Sequence, residues 1–193
     1  MALTVDLETG RTAFSDSVRG FVAAVDGFDE WSLLGASRCH GWTRLDVVVH
    51  VVVGWQEMLG GFVSPVDEAP TVDAASYWPA FDEEYDEDPL VVLMAQRRRT
   101  AAYLRPDSAR QQMHDVADAV LRGAASCADR PLRWQGHVFT AGDFLTIWAV
   151  EDLIHQVDLL SDEPVPSSAL DLARATVDDL EGASLADRLP DAG

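Results

Sequence analysis

The stretch Glu151-Asp152-Leu153-Ile154-His155 lies inside an apolar segment, 144–160, toward the C-terminal end of the chain. Residues four apart on a helix lie on the same face, about one turn from each other, so the carboxylate and the imidazole are expected to point the same way. Polar groups in such an apolar segment need partners, because burying an unpaired polar group is costly. The pair therefore predicts a further polar group nearby.

His50 is the candidate partner of this pair. Three valines precede it and three follow it in 47–53, a run that a globular protein buries. Two histidines and one glutamate from two buried helices make a three-ligand divalent metal site, with a fourth position for water or substrate. The alternative is a core histidine that bonds to a backbone carbonyl or to an acid. The two interpretations differ in whether His50, Glu151 and His155 converge.

Three further residues are candidates for the surroundings of this site. Asp46 lies one turn before His50 and Asp158 nearly one turn after His155. Either carboxylate would accept the second ring N–H and fix the tautomer of the ligand. For Asp46 the favoured interpretation is the simpler one, a helix-capping acid. Gly54, one turn after His50, would leave space for a substrate, or it is an ordinary helix glycine.

Size and composition predict one domain spanning 1–193. The chain has 193 residues, of which 48% are hydrophobic, which is ample for a core. Its net charge of −19, from 33 acidic residues against 14 arginines, predicts repulsion from phosphate backbones and anionic lipids, so neither nucleic acid nor membrane is an expected partner. The first residues lack a signal-peptide pattern, which favours a cytoplasmic location. Two cysteines are too few for a disulfide framework.

Apolar spacing and capping signals predict an all-α fold. Helix one covers about 6–26, and helix two begins after Thr43, because Asp46 stands three residues later in a capping-box spacing. The valines of 47–53 also suit a buried strand, which periodicity alone does not exclude. The cap and the continued helical spacing of apolar residues favour a helix.

A long crossover is expected between helices two and three. Residues 64–88 carry nine acidic and no basic side chains, together with three prolines, and a short helical piece is expected near 74–82. Asp88-Pro89 is typical of a helix start, and the helix that follows is expected to run through Leu90, Leu93, Met94, Ala101 and Leu104. Pro106 interrupts this pattern, so 89–123 is one kinked helix or two.

The C-terminal part of the chain predicts two more helices. The capping-box spacing recurs at Thr140 and Asp143, at the start of a helix that is expected to run to about residue 161. Before it, 133–139 is expected to be a loop or a brief extended piece, since no hairpin signal is visible. Residues 167–181 predict an extra C-terminal helix, followed by a loose tail at 185–193. The bundle core is thus expected within about 6–161.

Arg97, Arg98 and Arg99 form the densest cluster of cations in the chain. They are able to hold an anionic substrate, but pairing with the acidic 64–88 segment or with solvent is the competing interpretation. The chain has no Gly-x-Ser-x-Gly motif, no phosphate-binding glycine loop and no dinucleotide fingerprint.

Residues 39–50, Cys-His-Gly-Trp-Thr-Arg-Leu-Asp-Val-Val-Val-His, resemble the Cys-Pro-Gly-Trp-Thr-x-x-Asp-x-x-x-His signature of the mycothiol-dependent maleylpyruvate isomerase family, within the DinB/YfiT-like metalloenzymes. Glu151-x-x-x-His155-x-x-Asp158 resembles that family's second signature. The resemblance implies a DinB-like four-helix bundle in which His50, Glu151 and His155 hold zinc, nickel or a similar divalent metal. It also implies mycothiol or a similar thiol as co-substrate. His40 replaces the family's proline, and about one helix stands where longer isomerases have a C-terminal domain.

Three hypotheses about function follow. The leading one is a metal-dependent thiol S-transferase or isomerase, in which a metal-bound thiolate attacks a small electrophilic molecule. In the second, the same metal activates water and the protein is a small-molecule hydrolase. In the third, the bundle binds or regulates, and the site is structural or empty. The expected partners are a small-molecule thiol and an electrophile, and a homodimer is left open.

Overall fold

The computed structural model describes residues 3–84 and 88–181. Within these ranges the chain forms eight helices and one hairpin: α1 (Leu7–Asp26), α2 (Glu30–Leu33), α3 (Arg44–Phe62), α4 (Tyr77–Glu84), α5 (Pro89–Thr100), α6 (Pro106–Ser126), β1 (Leu132–Trp134), β2 (His137–Phe139), α7 (Ala141–Asp158) and α8 (Ser167–Glu181). The predicted all-α class is confirmed. The predicted tail at 185–193 lies outside the described residues, and the single domain over 1–193 stays a prediction.

Helices α1, α3, α6 and α7 form the four-helix bundle. Helix α1 packs against α7 and α6, and α3 packs against α6. The backbones of α1 and α7 meet closely at two glycines, since a Cβ on Gly10 would lie 2.5 Å from the carbonyl oxygen of Gly142. Large apolar side chains fill the centre, among them Phe14, Phe21, Trp55, Met58, Met113 and Phe144. The extra C-terminal helix is present as α8, and it packs against α7 and α1.

The valine-rich segment is helical. Thr43 caps α3 by accepting the Asp46 N–H, and the Asp46 carboxylate accepts the Thr43 N–H at 2.8 Å, which completes the predicted capping box. This helix is also long and apolar enough to cross a membrane by composition, with a mean hydropathy of 1.2 over its most apolar window. Val47, Val48 and Val52 are fully buried in the bundle, however, so α3 is a core helix. Packing has therefore overridden the strand propensity of valine.

The crossover is longer than the sequence predicted. It runs from the end of α3 to the start of α6 and contains α4, near the expected helical piece, and α5. Helix α5 lies on the surface of α3 and ends at Thr100, so the prediction that it runs through Leu104 is wrong. Leu90 and Met94 are 63% and 41% exposed, and Leu104 beyond the helix is 94% exposed. The alternative of two separate helices in 89–123 is confirmed, because the chain leaves helical geometry before Pro106.

A small hairpin precedes α7, where no hairpin was expected. Strands β1 and β2 pair antiparallel, with Leu132 opposite Phe139 and Trp134 opposite His137. Gln135 and Gly136 connect them with φ angles of +45° and +76°. Two consecutive positive φ angles are typical of a type I′ turn, which usually contains Asn-Gly or Asp-Gly, so Gln-Gly gave a weak signal. The hairpin places Trp134 beside α7, with its ring centroid 5.2 Å from that of Trp148.

Candidate metal centre

His50, Glu151 and His155 converge at one end of the bundle. Glu151 Oε1 lies 3.2 Å from His155 Nε2 and 3.7 Å from His50 Nε2, although His50 comes from α3 and the other two residues from α7. One potential ligand atom from each of the three lies within 4.8 Å of the other two. The histidine rings meet edge to face, with centroids 4.8 Å apart. The three groups are thus close enough to share one ion.

His50 is less buried than its valine neighbours suggested. Its side chain is 36% exposed, whereas that of His155 is 11% exposed. The indole ring of Trp42, which precedes the α3 cap, lies 5.2 Å from the His50 ring, centroid to centroid. His50 therefore lies at the edge of the core, where a solute can reach it.

The outer partners of the two histidines differ. Asp158 Oδ2 lies 3.2 Å from His155 Nδ1, so both ring nitrogens of His155 have carboxylate partners. Asp46, the other candidate for such a role, instead accepts hydrogen bonds from the backbone N–H and the hydroxyl of Thr43, at 2.8 and 2.7 Å. Its carboxylate serves the helix cap. The capping interpretation of Asp46 is therefore confirmed, and only Asp158 contacts a histidine ring in the way proposed for both acids.

Cys39 is a site residue to which sequence reasoning assigned no role. Its Sγ lies 3.1 Å from Asp158 Oδ2, and Cys39, His155 and Asp158 form a second set of three potential metal ligands within 4.8 Å of one another. The backbone N–H of Arg38 also donates to the Asp158 carbonyl, which fastens this loop to the end of α7. The available signal was the position of Cys39 as the first residue of the 39–50 motif.

The electrostatics of the cluster favour a cation. Burial by itself would raise the pKa of Glu151, but hydrogen bonds from His155 and His50, and their positive charge when protonated, bring it below its usual range. Burial by itself would lower the pKa of His155, but contacts with Asp158, Cys39 and Glu151 raise it well above its usual value. Acidic groups thus hold positive charge on the imidazole, and a bound metal ion would supply that charge instead.

Asp152, the next residue on α7, faces the core. Its carboxylate accepts the indole N–H of Trp55 at 2.8 Å and the hydroxyl of Ser17 at 3.1 Å, and its side chain is almost fully buried. Burial raises the pKa of Asp152 to about 8. This acid is therefore mostly protonated at neutral pH and joins α1, α3 and α7 through neutral hydrogen bonds.

A cavity opens beside the three converging residues. His50, Glu151 and His155 all line it, and so does Gly54. A Cβ on Gly54 would come within 3.0 Å of the Trp148 ring, so a larger residue there would press on that ring. Half of the remaining lining residues are aromatic, namely Tyr77, Trp78, Phe81, Trp134 and Trp148.

Comparison with known proteins identifies the family of this chain. The family profile described as "Mycothiol maleylpyruvate isomerase N-terminal domain" matches residues 12–160, which include all three converging side chains. The chain belongs to this family. The resemblance read from the 39–50 motif is therefore confirmed. No curated protein gave a significant match.

Two solved structures resemble this isomerase-family domain. They are crystal structures of the mycothiol-dependent maleylpyruvate isomerase, one of them of a mutant in which a histidine is replaced by alanine. Each is 17% identical in sequence and superposes with a TM-score of 0.62, and the match covers 90% of this chain and 70% of the other. At this identity the likeness establishes the shared fold, and the long crossover and four-helix bundle agree with it.

The donor set of the isomerase-family domain suits a divalent transition metal. Two imidazole nitrogens and one carboxylate oxygen are the protein ligands of many catalytic zinc sites, which keep one position for water or substrate. The cavity adjoins the three donors, so a small molecule is able to reach that position. Zinc or a similar ion therefore fits the residues that the structure brings together.

Proposed function

We propose that this domain is a divalent-metal-dependent thiol S-transferase or isomerase that acts on a small electrophilic molecule, with mycothiol or a related thiol as co-substrate. The observation that carries the proposal is the meeting of His50, Glu151 and His155 within 4.8 Å beside a cavity. Membership in the mycothiol maleylpyruvate isomerase family supports a thiol as the second substrate.

The three converging side chains would hold the metal. When bound, a divalent ion supplies Lewis-acid chemistry and lowers the pKa of a thiol near it. With a metal bound, Asp158 would accept the Nδ1–H of His155 and so fix the tautomer in which Nε2, the nitrogen nearest Glu151, faces the ion. Glu151 balances part of the positive charge. The protein thereby orients the ligands before any substrate arrives.

The aromatic wall has a separate role. Trp134 and Trp148 lie 5.2 Å apart, centroid to centroid, and flank the cavity next to the ligands. Apolar rings bind the apolar part of an electrophile and exclude water from the thiolate, which favours thiol addition over hydrolysis. The enclosing wall is the feature that favours a thiol transferase over a metal-dependent hydrolase.

The test begins with elemental analysis of the purified protein and of the same protein after chelation and reconstitution. A thiol panel, containing mycothiol, glutathione and cysteine, is then assayed with styrene oxide as a generic electrophile. The proposal expects one metal per chain and conjugation that requires both metal and thiol. Metal-dependent epoxide hydrolysis without thiol would favour the hydrolase, and a protein that binds no metal would favour a non-catalytic bundle.

A matched pair of histidine variants sharpens the test. His50→Ala is expected to abolish conjugation and metal binding while the fold remains, because this side chain is 36% exposed and packs only in part. His114→Ala removes the imidazole that pairs with Asp26 on the bundle surface, 3.0 Å away, and is expected to leave both properties unchanged. Equal loss in the two variants would count against a role of His50 at the site.

A further inference from the structure

The two ring nitrogens of His155 have different surroundings. Nε2 faces Glu151 at 3.2 Å, whereas Nδ1 faces the Asp158 carboxylate at 3.2 Å. The thiol of Cys39 lies 3.1 Å from that same carboxylate oxygen. Neither Cys39 nor Asp158 lines the cavity, and Cys39 borders a separate surface depression formed by residues 36–43. The Nδ1 edge of the ring thus belongs to a second group of donors.

The separations within this second group, Cys39, His155 and Asp158, suit one bound ion. One potential ligand atom of each residue lies within 4.8 Å of the other two. A tetrahedral ion bonded to nitrogen, oxygen and sulfur holds neighbouring donors roughly 3.3–3.6 Å apart, and the separations of 3.1 and 3.2 Å are close to that range. The backbone N–H of Arg38 donates to the Asp158 carbonyl at 2.8 Å and holds the loop at the end of α7. Small side-chain movements would therefore let the three donors share an ion.

The charges of this group balance a divalent ion. A thiolate on Cys39 and the carboxylate of Asp158 carry two negative charges between them, and a neutral imidazole adds none. His155 and Asp158 also lie in the last turn of α7, where the helix dipole favours a cation. Among the three converging residues, by contrast, Glu151 alone supplies a negative charge.

The sulfur atom decides which ions the group prefers. Soft ions such as cadmium and copper(I) bind thiolate more strongly than hard ions such as magnesium do. The positive charge of Arg38 acts on Asp158 and opposes the approach of any cation. Bonding to sulfur depends less on charge than bonding to oxygen does, so a soft ion is less affected by this arginine.

We propose that Cys39, His155 and Asp158 form a second metal site, which we call the thiolate site, and that it binds a soft, thiophilic cation. When the ion binds, the thiol and Nδ1 each release a proton to solvent, while Nε2 keeps its proton and donates it to Glu151. A neutral imidazole has only one nitrogen without a proton, so His155 serves one metal site at a time. The inference requires neither a thiol substrate nor turnover, and so does not depend on the proposed function.

Cadmium titration of the whole chain after chelation, in buffer without thiols, tests the thiolate site. Cadmium bound to a thiolate has an ultraviolet charge-transfer absorption that nitrogen and oxygen ligands do not produce. The chain has two cysteines, both partly exposed, so the band arises from Cys39 or Cys127. It is expected in wild type and in Cys127→Ser and is expected to vanish in Cys39→Ser. A band that survives Cys39→Ser, or its absence from wild type, would overturn the inference.

A second variant distinguishes a three-ligand site from a cysteine that binds cadmium alone. Asp158→Asn is expected to weaken cadmium binding by at least about tenfold, read from the midpoint of the band, because it removes an anionic ligand. Asp162→Asn, at an exposed acid beyond the end of α7, is the matched control and should keep the wild-type midpoint. Equal midpoints in Asp158→Asn and wild type would refute the three-ligand site.

His50→Ala separates the thiolate site from the three converging residues. It removes one of their ligands and none of the thiolate site, so the cadmium–thiolate band should remain at an unchanged or lower cadmium concentration. Loss of the band in this variant would contradict the proposal. A retained band together with absent thiol conjugation would remove the proposed function and keep the thiolate site.

Alkylation of the wild-type protein supplies a measurement that does not depend on how a variant folds. Iodoacetamide modifies free thiols, and mass spectrometry of the resulting peptides reports on Cys39 and Cys127 separately. Cadmium is expected to slow the modification of Cys39 by at least about tenfold, because a metal-bound thiolate is a weaker nucleophile, and to leave Cys127 unchanged. Equal protection of the two cysteines, or protection of neither, would rule the thiolate site out.

Discussion

Two adjacent acids on α7 have opposite environments. Glu151 belongs to what we call the histidine cluster, made of His50, Glu151, His155 and Asp158. Asp152 belongs to the tryptophan anchor, made of Ser17, Trp55 and Asp152. The pKa of Glu151 is lowered by its imidazole partners, whereas burial raises the pKa of Asp152 to about 8.

The difference shows that the partner, more than the burial, sets the charge of an acid. Imidazoles stabilise a carboxylate because they carry positive charge, and this arrangement can receive a cation. An indole and a hydroxyl donate only neutral hydrogen bonds, which do not offset the cost of burying an anion. One helix thus supplies a charged acid to the site and a neutral acid to the core.

The largest expected difference between the two acids is in their effect on metal affinity. Glu151→Gln and Asp152→Asn each replace one carboxyl group by an isosteric amide. Glu151→Gln should weaken metal binding on the order of a thousandfold, more than the roughly 10–100-fold cost of losing an outer partner, while Asp152→Asn should leave it unchanged. Competition with a chromophoric chelator measures both affinities. Similar losses in the two variants would mean that the acids do not differ in role.

Alanine substitutions of the same two acids should affect the free energy of unfolding in the opposite order. Asp152 should contribute more than Glu151. Asp152→Ala removes the acceptor of the buried Trp55 and Ser17 groups, so the free energy of unfolding should fall by about 2–4 kcal/mol. Glu151→Ala should cost less than about 1 kcal/mol in metal-free protein, because its side chain is 32% exposed and its imidazole partners can become neutral. Denaturant unfolding of the chelated proteins measures the two losses.

Asp158→Asn tests how far the histidine cluster extends. It replaces the carboxylate that contacts His155 Nδ1, so metal affinity should fall by about 10–100-fold while the bound stoichiometry remains one. Asp162→Asn, at an exposed acid beyond the end of α7, is the matched control and should show no change. An unaltered affinity in Asp158→Asn would limit the cluster to its three converging residues.

The smallest expected effect is the change in the free energy of unfolding per pH unit. The pKa of Asp152 is raised from 3.8 to about 8 in the fold, so its contribution is fully present below pH 3.8 and is lost as pH rises toward 8. The unfolding free energy of metal-free protein should therefore fall by up to about 1.4 kcal/mol per pH unit in that window.

Asp152→Asn is the control, because an amide does not titrate. The difference between wild type and this variant isolates Asp152, since the raised pKa of His155 contributes to both proteins. Unfolding curves measured between about pH 5 and about pH 8 supply the comparison. Parallel pH profiles for the two proteins would contradict a buried neutral acid at this position.

Part of the fold and of the candidate site could be predicted from the sequence. The spacing of Glu151 and His155, the valines around His50, and the capping pairs at Thr43 and Thr140 identified the helices that carry the site. The extent of α5 was predicted wrongly. Its apolar residues continue to Leu104, but the helix ends at Thr100 and Leu90 and Met94 face solvent, because the spacing of apolar residues does not say what covers them.

The residues that sequence reasoning missed are brought in by packing over long separations. Cys39 reaches Asp158 across 119 positions, and Trp134 reaches Trp148 through the unexpected hairpin. Neither contact leaves a local pattern, because the side chains lie on different elements whose relative positions depend on the whole core.

The sequence by itself determined the helical class, the family and the identity of the three potential ligands, since helix geometry fixes which neighbours share a face. Only the tertiary structure decided that the three meet, that Asp46 belongs to a cap and Asp158 to a histidine, and that the cavity beside them is aromatic and acidic. Those outcomes depend on how the helices pack against one another, and the spacing of residues within one helix does not predict that packing.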